Sequence, residues 1–189
     1  GAAMMSLAVA RQFLQGRVVE RFLFSADGSV ASPADVVSML NSRFCSEEAE
    51  IMSYFTMIYG VIHLPSGRGR LCQAGHPTPF IVSTAGEVTP IGSGGAPVGL
   101  MPDLSWDDVD FELRPGERLC LFSDGITECE NPAGEQFGPQ RLQQWLQQHV
   151  NEAIGALLPQ FGQHLTGWRN GEQMADDVSL LIIERNGEK

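Results

Sequence analysis

The sequence predicts an α+β domain built on antiparallel sheets, with two sheets stacked face to face and helices outside. Three observations predict it. The strand-like runs between residues 54 and 123 are joined by short turns, as hairpins are. The helical patterns lie before and after that block rather than between successive strands, which excludes the alternating βαβ order of a nucleotide-binding fold. The run Tyr54–Leu64 is apolar on both faces, as a strand inside a layered structure is.

The elements follow in order. Residues 2–15 are rich in Ala, Met and Leu and predict a helix stopped by Gly16. Residues 17–31 are irregular, with a turn signal at Asp27-Gly28. Ser32-Pro33-Ala34-Asp35 is a helix start, with Ser as N-cap, Pro in the first turn and an acid three residues on. Val36, Val37, Leu40 and Phe44 then follow helical spacing. The polar stretch Ser46, Glu47, Glu48 and Glu50 separates this helix from the strand Tyr54–Leu64. Pro65–Gly69 turns the chain into a strand at Arg70–Gln73, and Phe80–Ser83 pairs with Val88–Ile91 around Ala85-Gly86-Glu87. Gly92–Pro102 is loop. Val109, Phe111 and Leu113 alternate as a half-buried strand, and Pro115-Gly116 turns into a strand at Arg118–Ser123. Pro139–Val150 is amphipathic through Leu142, Trp145, Leu146 and His149. Ala153–Leu165 reads as a helix interrupted by Pro159, and Val178–Glu184 as a closing buried strand.

The 189 residues suit one domain, and 43% hydrophobic with 19% charged residues supplies a core. Twelve Lys and Arg against 23 Asp and Glu give a net charge of -11, which argues against nucleic-acid or anionic-membrane partners. Cys45, Cys72, Cys120 and Cys129 form no CxxC pair and no zinc spacing, and read as reduced structural thiols. With no run of 18 apolar residues and no signal-peptide pattern, the expectation is a cytoplasmic protein. The acidic stretches Glu47–Glu50 and Asp107–Asp110 read as solvated surface.

Two aspartate sites stand out. Asp124 follows a buried strand in Leu121-Phe122-Ser123-Asp124-Gly125-Ile126-Thr127-Glu128. Asp176 and Asp177 precede a strand in Ala175-Asp176-Asp177-Val178-Ser179-Leu180. Carboxylates fixed at strand ends have rigid positions and one wet side, which suits hard ions such as Mg2+ or Mn2+. Spacing alone also allows a turn at Asp124 and a cap at Asp176. His76, in Gln73-Ala74-Gly75-His76-Pro77, has no acidic or nucleophilic partner nearby in sequence, and His63, His149 and His164 are not spaced as metal ligands. A GxSxG elbow, a P-loop and an HExxH motif are absent, and Ser123 has no evident base.

Taken in order, Ala74-Gly75-His76-Pro77, Gly95-Ala96-Pro97-Val98-Gly99, Glu117–Glu128 and Ala175–Leu180 resemble the bacterial PPM-type (protein phosphatase 2C-like) serine/threonine phosphatases, sporulation-phosphatase/RsbU-like branch. The resemblance implies a four-layer α-β-β-α sandwich of two antiparallel sheets. It implies Mn2+- or Mg2+-dependent hydrolysis of phosphoserine or phosphothreonine, with two metals activating a water that attacks phosphorus directly. Asp124 and Asp176 match metal-ligand aspartates, with Asp177 at the adjacent polar position. Gly75 and His76 belong to a loop typical of the branch. It also implies a signalling regulator of the stress-response or two-component kind, fused upstream to a receiver or sensor domain. Its partner would be a small phosphorylated anti-sigma-factor antagonist, and a homodimer is compatible with the class.

The family carries two further acidic elements toward its N-terminus, a Gly-Gly-Asp strand and an Asp-Val-Ser-Gly-His-Gly turn. Neither occurs in this sequence, and Gly1–Ala8 resembles the helix that follows that turn. The expectation is a single phosphatase domain over residues 1–189 without its first strands. A phosphatase fold that binds a partner and hydrolyses nothing is the second reading; an unrelated acidic α+β domain is the third. On the first, this chain by itself binds Mn2+ weakly, because two carboxylates bridge two ions poorly. Calorimetric titration checks it, and tight binding of two ions contradicts it.

Overall fold

The computed structural model describes residues 24, 28–47, 54–92, 94–171 and 176–187. The helix predicted over residues 2–15 and the acidic positions Glu48 and Glu50 lie outside the described residues. The fold is α+β, with two antiparallel sheets and four helices among the described residues. The chain divides into two compact units, Gly1–Ile62 with Gly69–His76 and Ser93–Asp110, and His63–Arg68 with Pro77–Gly92 and Phe111–Lys189.

In the first unit, helix α1 (Pro33–Glu47) starts where the capping residues place it: the Asp35 amide donates to Ser32 Oγ at 3.1 Å. Strands β1 (Met57–Ile62) and β2 (Arg68–Ala74) form the predicted hairpin, with Tyr59 opposite Cys72. The three-stranded sheet runs β1, β2, β5, the last being Asp108–Glu112. β1 is shorter than predicted and only half-buried, and among the described residues it lies at the edge of its sheet. The core of this unit joins Val36, Val37 and Leu40 of α1 to Cys72, Ala74, Val98 and Trp106. The acidic stretch at 107–110 is more than solvated surface. Asp108 Oδ1 accepts the Ala34 amide at 2.7 Å, where a carboxylate favours a helix start, and both Asp108 and Asp110 pair with Arg70.

In the second unit a four-stranded sheet runs β4 (Val88–Pro90), β3 (Phe80–Val82), β6 (Arg118–Phe122), β7 (Leu180–Glu184), every pair antiparallel. β6 is central and almost wholly buried, as its unbroken apolar run requires. Among the described residues β7 lies at the edge, and it alternates, with Leu180 and Ile182 packed on the core while Leu181 is exposed, so it is not the fully buried strand that its composition suggests. After β6 comes a single helical turn, α2 (Asp124–Thr127), then α3 (Gly138–Gln148) and α4 (Ile154–Arg169). Leu142, Trp145 and Leu146 of α3 meet Leu157, Phe161 and Leu165 of α4 over Phe80, Val82, Cys120 and Phe122 of the sheet.

α4 runs through Pro159 without interruption. The bond that proline deletes would have run to the carbonyl of Gly155, four residues back. Both residues face solvent, so water replaces that bond, and Gly155 has open space around it. The buried Arg118 ties the sheet to the loop after α3. Its Nε meets Glu184 Oε2 at 2.7 Å, and its other nitrogens donate to the carbonyls of Val150 and Glu152.

All four cysteines are free thiols; Cys72, Cys120 and Cys129 are buried and Cys45 is partly exposed. Burial disfavours the thiolate and pushes Cys72 and Cys120 up to about 12. At pH 8 both thiols therefore stay protonated. Iodoacetamide at pH 8 is expected to label Cys45 and to spare Cys72 and Cys120 until the protein is unfolded in urea. Peptide mass spectrometry reads the order.

Candidate functional site

β6 and β7 are about 60 residues apart in sequence but pair with Phe122 opposite Leu180. The pairing continues beyond both strands: the Ser123 amide donates to the Ser179 carbonyl at 3.0 Å. One residue further along β6 is Asp124, exposed at the first position of α2. On the partner side Asp176 and Asp177, also exposed, precede β7. The structure therefore brings all three predicted site residues to one end of the β6–β7 pair.

Several contacts set this corner. Ser123 Oγ donates to the Asp177 carbonyl at 3.0 Å and accepts the Ser179 amide at 2.9 Å. Asp124 Oδ1 accepts the amide of Gly125 at 3.1 Å, and Asp176 Oδ1 accepts that of Asp177 at 2.7 Å. Each carboxylate is thus steered by the amide that follows it. Gly125 is buried against the same carbonyl: a Cβ at this position would lie 2.4 Å from the Asp177 oxygen. Glycine is demanded here by close approach of two backbones, with no unusual dihedral involved. Asp124 also opens the helical turn, its carbonyl accepting the Glu128 amide at 2.8 Å.

The donor chemistry fits a hard divalent ion. Carboxylate oxygens at a fixed, wet corner suit Mg2+ or Mn2+, and Mg2+ is commonly held by one or two carboxylates with waters completing the shell. Among the described residues there is no group of three or more His, Cys, Asp or Glu side chains able to hold a metal ion.

The loop with Gly75 and His76 lies in the first unit and is built as a scaffold. The Gly75 amide donates to the Gly95 carbonyl at 3.0 Å. Gln73 Oε1 accepts the Gly94 amide at 2.9 Å, while its Nε2 donates to the His76 carbonyl at 2.6 Å. Gly75 has φ +68° and would press a Cβ on Pro97. Trp106 Nε1 donates to the Ala96 carbonyl at 2.8 Å. The two motifs around Gly75 and Gly95 are therefore two strands of one knot. His76 Nδ1 lies 3.2 Å from Thr56 Oγ1.

Sequence reasoning missed Ser123, Gly125 and Ser179 as working parts. They stood inside the quoted motifs, but no spacing rule gives a serine hydroxyl two backbone partners 54 and 56 residues away.

Residues 2–186 match the family described as Stage II sporulation protein E (SpoIIE). The chain belongs to this family. As a SpoIIE-family member it is a PP2C-type phosphatase domain of the sporulation/RsbU-like branch. It is 30% identical over 152 residues to Protein IcfG of Synechocystis sp., covering 80% of this chain and 24% of that one. It is 25% identical over 154 residues to phosphoserine phosphatase RsbU of Bacillus subtilis, covering 81% of this chain and 45% of that one. The chain thus spans less than half the length of these two curated relatives. The fold is similar to that of the phosphatase domain of the cell fate determinant SpoIIE from Bacillus subtilis (Mn presoaked). The TM-score is 0.63 at 15% identity, covering 97% of this chain and 73% of that one. The third sequence reading, an unrelated acidic domain, is thereby excluded.

The close approach at Gly125 makes a specific prediction. Gly125→Ala is expected to cost about 1–3 kcal/mol, the usual range for forcing a methyl into filled space. Gly155→Ala, which meets open space on α4, is expected to be neutral or stabilising by about 0.5–1 kcal/mol. Urea denaturation of the two variants checks the contrast.

Proposed function

We propose that this chain is the phosphatase domain of a bacterial signalling regulator, hydrolysing phosphoserine or phosphothreonine on a small regulatory protein. The observation that carries the reading is the β6–β7 pairing, which sets Asp124 beside the Asp176–Asp177 segment. Asp124 and Asp176 would hold a divalent ion, with Asp177 as an adjacent polar group. When bound, Mn2+ or Mg2+ supplies the positive charge that acidifies a water and neutralises the phosphoryl oxygens.

The chain's own residues do the rest. Asp124 presents its carboxylate two residues after β6 and Asp176 presents its own four residues ahead of β7. The amides of Gly125 and Asp177 orient those carboxylates. Exposure of the corner lets a phosphorylated side chain on another protein reach it. The substrate we favour is a phosphorylated anti-sigma-factor antagonist, in keeping with the phosphoserine phosphatase RsbU among the relatives. The greater length of the relatives supports fusion to a sensor or receiver domain. A single phosphatase domain over residues 1–189, acting in the cytoplasm, completes the proposal. No helix among the described residues is long and apolar enough to cross a membrane.

One observation favours the second reading, a phosphatase fold that only binds a partner: among the described residues the carboxylates number too few to form a metal cluster. Hydrolysis of p-nitrophenyl phosphate by the full-length protein, with and without Mn2+, separates the two. The enzyme reading expects Mn2+-dependent turnover that falls at least about a hundred-fold in Asp124→Ala and in Asp176→Ala, the loss of several kcal/mol of charge stabilisation. Turnover unchanged by either variant overturns the assigned roles. Absence of turnover in the parent, with a regulatory partner still bound, supports the binding module.

A further inference from the structure

We propose that Ser123 is a positioning residue: its hydroxyl sets the spacing between Asp124 and the Asp176–Asp177 segment, and so tunes how tightly that corner holds a divalent ion. The inference rests on the phosphatase reading above and deepens it.

In a regular antiparallel ladder, two residues in a hydrogen-bonded pair exchange both of their backbone bonds. Ser123 and Ser179 make only one such bond, from the Ser123 amide to the Ser179 carbonyl at 3.0 Å. The return bond is diverted. The Ser179 amide donates to Ser123 Oγ at 2.9 Å instead of to the Ser123 carbonyl. That carbonyl is then free to accept the Ile126 amide at 3.2 Å, the first bond of α2. One hydroxyl thus lets the chain leave the strand and begin a helical turn at Asp124 while keeping its register on β7.

The same hydroxyl has one proton to give, and it goes to the Asp177 carbonyl at 3.0 Å. That carbonyl is also the atom against which Gly125 is packed. Each aspartate is steered locally by its following amide. Ser123 is the side chain that joins the two segments. The position needs an acceptor and a donor on one short atom, which a serine or threonine hydroxyl supplies.

The clamp is separable from stability because its partners are exposed. Asp177 and Ser179 face solvent, so water takes over their bonds when the hydroxyl is removed. What water cannot replace is the fixed spacing. Groups that orient metal ligands typically change metal affinity about 10–100-fold when removed.

The test is calorimetric Mn2+ titration of the full-length protein and four variants, each with its melting temperature. Ser123→Ala is expected to weaken Mn2+ binding about 10–100-fold with a small fall in melting temperature. Ser123→Thr, which keeps the hydroxyl, is expected to restore most of the affinity. Leu157→Ala, a cavity in the α4 core, is expected to lower the melting temperature more than Ser123→Ala while leaving Mn2+ affinity unchanged. Affinity unchanged in Ser123→Ala, or lost equally in Leu157→Ala, overturns the positioning role. Asp124→Ala separates the layers. If it abolishes binding while Ser123→Ala leaves the affinity unchanged, the clamp alone fails. If it leaves binding intact, the metal reading fails and takes the clamp with it.

Discussion

The antiparallel pairing of β6 with β7 is the constraint on which the candidate site depends. Two aspartate segments more than 50 residues apart in sequence become neighbours because Phe122 registers with Leu180. Side chains change face with every residue of a strand, so a slip of one residue would turn the buried row outward and move Asp124 away from its partner segment. The register is held by burial, with Cys120 and Phe122 on β6 and Leu180 and Ile182 on β7 packed on the α3–α4 core. It is held again at the far end of the pair, where Arg118 meets Glu184 and the carbonyls that follow α3. Arg118 is buried and Glu184 partly exposed, so this end is fastened by a part-buried ion pair while the corner lies open to water. A stable far end leaves the wet corner free to be polar.

Polar corners of this kind carry a recurring cost, since every strand end leaves backbone groups without a ladder partner. Here the serine and glycine of the Ser123-Asp124-Gly125 sequence meet it. The serine supplies the missing partners and the glycine allows the backbones to close to contact. The first unit meets the same problem differently. Gln73 uses both ends of its amide on two loops, and Gly75 accepts a positive φ so that its chain can pass Pro97. In both places the residues that look most like a signature are those that make irregular backbone affordable.

Much of the fold was legible in the sequence. The cap at Ser32, the hairpins at 57–74 and 80–90, and the apolar stripe of α3 each rest on local rules, and each is found. Misreadings came where surroundings outweigh composition. Pro159 reads as a break, yet it stands on the solvent face beside Gly155, where the lost bond is cheap. β1 reads as covered on both faces and β7 as buried because apolar residues fill them, but β1 is only half-buried and β7 exposes every second residue. Asp108 reads as surface charge, and its bond to the start of α1 comes from 74 residues away.

The sequence by itself determined the α+β class, the acidic surface and the aspartates to watch, because helix caps, turn residues and strand periodicity act over a few neighbours. Only the tertiary structure decided that Asp124 and the Asp176–Asp177 segment share one corner, and that the Ser123 hydroxyl bonds the Asp177 carbonyl there. Strand register is a long-range choice, fixed by which faces bury together, and no local pattern records where the partner strand will lie.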